Sequence, residues 1–303
     1  MAKNQKKVVK SLLALRQQVL NRKLLRQYEK APALCMEPVT FQKRTKIKLG
    51  IVTIAFNNDA MIQLQIHLFK NYLEDDFELI CADNSDNDQI MERIRKACAE
   101  TKTAYIRLPQ YRLENKNGSL SHGMAMNWTL KNICRKKEYE FFGFVDHDVF
   151  PIRKTRILNQ LQQRPLYGLI HERGQLWYLW AGFCFFASHY VKNKEMNFLP
   201  VKGVDTGGGN WSTIYRHIPR KQMAEMPYSC SNIDDLVNLK REYWQTKKIP
   251  EEKYEQVNPD LLEKDKFIEF FGDWVHTFNA SNWRKGESKN QKVLRLFQKG
   301  GLY

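Results

Sequence analysis

The chain predicts an α/β fold, a mixed and mainly parallel sheet flanked by helices, with a basic amphipathic helix in front and a helical or irregular part behind. Three observations predict it. From Lys46 onward, short apolar runs rich in β-branched residues alternate with segments of helical periodicity. Most of those runs end in Asn or Asp, as strands do where a sheet meets solvent. The charge is also segregated: of the net +16, residues 1–48 hold +11, thirteen Lys/Arg against Glu29 and Glu37, and the rest of the chain carries only +5. With 303 residues, 43% hydrophobic and 12% aromatic, there is material for one large domain with appendages or two small ones.

Residues 6–28, "KKVVKSLLALRQQVLNRKLLRQY", repeat apolar pairs at Val8-Val9, Leu12-Leu13, Val19-Leu20 and Leu24-Leu25. This spacing gives a helix with one apolar stripe among Lys and Arg. Such a stripe either packs on protein or lies on an anionic lipid surface, here through residues 1–30. Residues 31–45, with Pro32 and Pro38, read as a linker, so residues 1–45 form one unit. "IKLGIVTIAF" (47–56) is a buried strand, and Asp59 is placed to cap the helix "AMIQLQIHLFKNYL". "FELICAD" (77–83) and "TAYIRL" (103–108) are further strands around the helix 87–100. "SLSHGMAMNWTLKNIC" (119–134) is helical and leads to the strand "FFGFVD" (141–146). Alternation of this kind implies right-handed crossovers and a ligand crevice beyond the carboxyl ends of the strands.

Beyond Asp148 the pattern loosens. "LYGLIHE" and "QLWYLWAGFCFFAS" flank Arg173-Gly174 as a hairpin, and "VKGVDTGGGNWSTIYRHI" is a glycine-rich loop running into a short helix. Residues 231–265 are charged and helical or irregular, and "FIEFFGDWVHTFNASNW" brings His276 out of an aromatic strand. The expected division is a core over 46–225, its nucleotide side 46–150 and acceptor side 151–225, completed by 226–303.

The chemistry centres on "FFGFVDHDVF". Two carboxylates one residue apart at the end of a buried strand are costly to desolvate unless paired or bound to a cation. Asp146 and Asp148 offer hard oxygen donors suited to Mg²⁺ or Mn²⁺; the plainer alternative is a strand-ending acidic turn held by a cap or an ion pair. Six cysteines (35, 81, 98, 134, 184 and 230) are scattered without a C-x-x-C pair, which reads as buried reduced thiols. No signal peptide and no run of ~18 apolar residues is evident, so the expected location is cytoplasmic, either free or peripheral on the cytoplasmic face of the membrane.

These motifs in this order resemble nucleotide-sugar glycosyltransferases of the GT-A fold, closest in pattern to the bacterial family 2-like enzymes. The residues that carry the resemblance are "IVTIAFNN", "ICADNSDND", "NGSLSHGMAMNWTL", "FFGFVDHDVF" and "WVHTFNASNW", over roughly residues 46–283. It implies transfer from a nucleoside diphosphate sugar, UDP-linked by default, to a glycan or lipid-linked acceptor, with inversion. By the same resemblance Asp146 and Asp148 hold a Mn²⁺ or Mg²⁺ and the diphosphate, and His276 is the third metal ligand. His276 reads equally as a histidine packed among aromatics. Thr53, Ala55 and Asn57 would line base and ribose, Asp83 would bond the base, and Trp180 and Gly182 (with Phe183) would shape the sugar pocket. Asp205 would be the base that deprotonates the acceptor, although the acidic pair usual there is absent and a glycine-rich loop is often only a turn.

Two other classes fit less well. A sugar nucleotidyltransferase would carry a glycine-rich, basic loop after the first strand, where this chain has "AFNNDAM". A nucleic-acid-binding protein would interleave aromatics with its basic arm, yet residues 1–48 offer only Tyr28 and Phe41, so no specific nucleic acid is expected.

Overall fold

The structure, a computed structural model, describes residues 16–17, 19–37, 47–110, 117–174, 176–201, 204–219, 221, 223–225, 268–277 and 287–299. The expected segments 1–15 and 231–265 lie outside them. The α/β expectation is met. The main sheet contains β1 (Cys35–Glu37), β2 (Leu49–Ala55), β3 (Phe77–Asp83), β4 (Ala104–Arg107), β5 (Phe141–Val145), β7 (Leu166–Arg173), β8 (Leu176–Ala187) and β9 (Met223–Glu225). Their order is β1-β4-β3-β2-β5-β8-β7-β9. Strands β4, β3, β2 and β5 are mutually parallel, β1 and β8 run against them, and β7 and β9 return to the common direction. A three-stranded antiparallel sheet, β10 (Ile268–Phe271), β11 (Trp274–Thr277) and β6 (Val149–Pro151), packs beside it.

Helices cover both faces. Both α2 (Asp59–Tyr72) and α3 (Asp88–Glu100) lie on one side, where Ile62, Ile66, Phe69, Ile94 and Cys98 join a core with Ile51, Phe183 and Trp274. On the other side α4 (Gly118–Thr129) packs Leu120, Met124 and Trp128 against Val52, Phe144 and Phe198. The crossover from β4 through α4 therefore returns to a strand on the opposite side of β2. This makes the β2–β5 boundary the point where the strand order reverses, and such points open a crevice at the strand ends.

The local chemistry of each helix start explains its position. Asn58, not Asp59, caps α2 by accepting from Met61 N (3.2 Å), and Asp59 is its first residue. Asn87 caps α3 and Asn117 caps α4 in the same way. The expected helix 119–134 continues past Thr129 through a π-helical turn, Leu130–Cys134. The expected hairpin is present, turning at Gly174 with φ 62°.

The linker expectation for 31–45 is corrected by β1, which pairs antiparallel with β4. Its short strand lacks an alternating pattern, and docking alone holds it there. The preceding helix α1 (19–28) is tied to α4: Leu25 and Tyr28 are buried, Lys131 Nζ meets a Glu29 carboxylate at 2.9 Å, and Trp128 Nε1 donates to Ala31 O. Val19 and Leu20, one end of the same helix, are exposed. Among the described residues no helix is long and apolar enough to cross a membrane. Cys81, Cys98, Cys134 and Cys184 are buried free thiols.

Candidate active site

At the β2–β5 boundary the chain leaves β5 through Asp146, His147 and Asp148 and re-enters β6. Hydrogen bonds from four elements fix this turn, besides its own bond from Val149 N to Asp146 O. Asp146 N donates to Gly182 O of β8 (2.9 Å), and Thr277 N of β11 donates to Asp148 O (2.9 Å). His147 Nδ1 lies 3.1 Å from Ile54 O of β2. Gln65 of α2 donates from Nε2 to Asp146 O (2.7 Å) and to Val149 O (3.0 Å). The backbone of the turn is thus tied to both the sheet and α2.

The two carboxylates have different surroundings. Burial pushes the Asp146 carboxyl above its usual range, and Asp148 adds to this while His122 opposes it. His122 comes from α4, its Nε2 3.3 Å from Asp146 Oδ1, and about a quarter of each side chain meets solvent (25% and 23%). Asp148 is 4% exposed, and burial alone would raise it too; His276, with Nε2 3.7 Å from Asp148 Oδ2, and then His147 hold it below the usual carboxylate range instead. His276 is delivered by register, since it stands opposite Val149 in the β11–β6 pair. Phe183 locks that small sheet to the main one through Trp274 (4.7 Å) and Phe271 (5.4 Å). Aromatic pairs of this kind contribute about 0.5–1.5 kcal/mol each beyond burial.

Trp180 closes one side. Its ring stacks on His171 (5.7 Å, 16°) and sits 4.6 Å from the ring of His276. A Cβ on Gly182 would stand 2.2 Å from the Trp180 indole, so this position must be glycine for the ring to lie where it does. Gly182 in turn accepts from Asp146 N, so Trp180 and the acidic turn lie on either side of it.

The start of α4 brings the remaining loops together. Ser119 O accepts from Thr206 Oγ1 (3.0 Å), Ser121 Oγ accepts from Asn84 Nδ2 (2.9 Å), and His122 meets Asp146. Asp205 is exposed on this rim and accepts from Thr206 N (2.7 Å), while the nearby Tyr178 hydroxyl is pushed up by burial and by the Asp205 charge. His122 was not singled out from the sequence. Its only signal was its place in "NGSLSHGMAMNW", one turn into a crossover helix.

The expected base-binding residues divide. Asn57 has left-handed backbone (φ 47°), which Asn tolerates, and its side chain joins Asp86 and Asn87 across the ends of β2 and β3. Asp83 is fully buried: Tyr105 Oη donates to Oδ2 (2.9 Å), Ser85 N donates to Oδ1 (2.8 Å), and Arg107 lies 3.5 Å away. Thr53 and Ala55 are also fully buried, on the α2–α3 side of the sheet. The parts of this rim that meet solvent are Asp86 and Asn87, next to Asn57, with Asn84 half-buried.

Among the described residues no three His, Cys, Asp or Glu side chains converge as a metal-binding group. His276 is engaged with Asp148. The donors that remain, two hard carboxylates one residue apart, suit a cation that keeps several waters and completes its shell with substrate phosphates, as Mg²⁺ does. Asp146 and Asp148 fit that ion as a pair. A shallow cleft between α2 and α3, lined by Gln63, His67, Arg93 and Lys96, lies apart from this turn.

No family model matches the chain, and no curated protein is similar to it in sequence. Solved structures that it resembles include the mannosyltransferase PcManGT from Pyrobaculum calidifontis in complex with GDP-Man and Mn²⁺, at 12% identity and TM-score 0.36 over 61% of this chain and 56% of that one. Another is S. aureus TarS, at 14% identity and TM-score 0.35 over 50% of this chain and 30% of that one. A TarS fragment, 1–349, matches at 13% identity and TM-score 0.33 over 50% of each chain. The chain therefore spans little more than half, or less, of the structures it matches.

Proposed function

We propose that the protein is a glycosyltransferase that takes a nucleoside diphosphate sugar, with uridine favoured as the base, and passes the sugar to a glycan or lipid-linked hydroxyl with inversion. The observation that carries this reading is the acidic turn, clamped from four elements at the β2–β5 switch point beside Trp180. That is where a parallel sheet presents a nucleotide, and the turn holds two carboxylates there, one of them about a quarter exposed.

Asp146 and Asp148 would hold a divalent ion, whose charge would offset the negative charge that develops on the leaving diphosphate. The chain's own residues do the rest. His122 and His276, each facing one aspartate, orient the carboxylates. Trp180 offers an apolar face to a sugar ring, and Asn57 with Asp86 forms the rim that a base or ribose would meet. Asp205, exposed beside Tyr178, is the group to accept the proton of the acceptor hydroxyl as it attacks the anomeric carbon. The exposed Val19-Leu20 end of α1 and the basic residues before it would rest on an anionic membrane, bringing the site to a lipid-linked acceptor.

The test is isothermal calorimetry with UDP, GDP and CDP, each with and without Mn²⁺. Binding of one nucleoside diphosphate that strengthens with Mn²⁺ and vanishes in the double variant Asp146→Asn/Asp148→Asn is the expected result. Binding that the double variant leaves intact would place the nucleotide elsewhere and overturn the reading.

A further inference from the structure

Gln65 stands where an apolar residue would serve packing better. It lies in the middle of α2 between Leu64 and Ile66, fully buried, in a row with Met61, Ile62, Leu68 and Phe69. Its Oε1 has no hydrogen-bond partner, so the amide is only half satisfied. Buried polar atoms without partners are few in folded proteins, and each calls for a reason. Here the reason is the other half of the amide. Its Nε2 reaches across to the carbonyls of Asp146 (2.7 Å) and Val149 (3.0 Å), the first and last residues of the acidic turn.

We propose that Gln65 is a positioning residue, which spans both ends of the acidic turn and sets the spacing and direction of the Asp146 and Asp148 carboxylates. This rests on the transferase reading for its consequence, though not for its geometry. The other tethers leave a gap that Gln65 fills. Gly182 O and Thr277 N hold the turn along the sheet, and His147 ties it to β2; Gln65 links its backbone to α2, while His122 of α4 meets only the Asp146 carboxylate. That layer is itself anchored. Asn58, the α2 cap, exchanges amide hydrogen bonds with Asn290 of the last helix, Glu287–Lys299 (3.2 and 2.9 Å), and Phe297 of that helix packs on Phe150, next to Val149 (5.4 Å). The position of the carboxylates is thereby referred to α2 rather than to the loop alone.

Two variants test it. Gln65→Met conserves volume and removes the donor; Gln65→Asn keeps the amide but withdraws it by one methylene. Amide hydrogen exchange is followed at 147–149 and, as internal reference, in β2 and β3. Both variants are expected to exchange about tenfold or more faster at 147–149 with β2 and β3 unchanged. Turnover falls by about 10²-fold, as displacement of a reacting group by about 1 Å produces, while donor KM changes by less than tenfold. Exchange at the turn that stays at the wild-type rate, or that rises only in step with β2 and β3, overturns the proposal. A protein that binds no nucleoside diphosphate would sink the transferase reading, and the exchange comparison would still decide the tether.

Discussion

Asp146 and Asp148 are separated by one residue, yet their replacement by Asn should move stability in opposite directions. Asp148 is 4% exposed, ionised, and faces His276 at 3.7 Å with His147 adding to the field. Removing its charge forfeits a charge-assisted interaction of about 1.5–3 kcal/mol. For a chain of this size that is a fall in Tm of roughly 3–6 °C. Asp146 is held in a setting that disfavours its ionised form, chiefly through burial, with His122 offsetting part of it. Because 23% of the side chain meets solvent, the gain on neutralising it is at most about 1 kcal/mol, or about 2 °C. Asp146→Asn should therefore melt at the wild-type temperature or slightly above, and Asp148→Asn clearly below it.

The pH dependence sharpens the contrast. A carboxyl raised in the folded state destabilises it once ionised, so the Asp146→Asn advantage appears as pH rises through the folded pKa and is absent below about pH 4. A depressed carboxyl stabilises above its unfolded value, so the Asp148→Asn deficit is full at neutral pH and shrinks in acid. The assay is scanning calorimetry of the three proteins in chelator between pH 7 and about pH 3, with sugar transfer measured in parallel. Both variants should lose transfer. Equal falls in Tm at pH 7 would refute the asymmetry, and near wild-type turnover in either variant would remove its carboxylate from the chemistry.

Two further outcomes are expected. Asp205→Asn should lower turnover by about 10²-fold or more, as loss of a general base does, with nucleotide affinity within twofold in calorimetry; a parallel loss of affinity would make Asp205 a donor-binding residue. Removing residues 1–18, which carry five Lys/Arg, should leave Tm unchanged but weaken sedimentation with anionic liposomes, since each basic residue near such a surface contributes about 1 kcal/mol. Removing 1–40 should also lower Tm, because Leu25, Tyr28 and Glu29 pack on the domain. Liposome binding that is indifferent to the shorter truncation would leave α1 as a packing helix alone.

Sequence alone determined whatever depends on neighbours within about one turn or one strand. Apolar runs of the right length and Gly174 at a hairpin tip act locally, so most strands and helices and the place of Asp146 and Asp148 at a strand end were legible. The aromatic strand that carries His276 was legible for the same reason. Which side chains share an environment was decided only by the tertiary structure. Asp83 ends a strand just as Asp146 does, but Tyr105 and Arg107 from the neighbouring strand close over it, while Asp146 stands at the switch point with His122 beside it. The short strand β1 and the half-satisfied amide of Gln65 follow in the same way from contacts between distant segments. Hydrophobic periodicity is a property of one segment, whereas the burial and pairing of a polar group depend on which other segments the strand order brings against it.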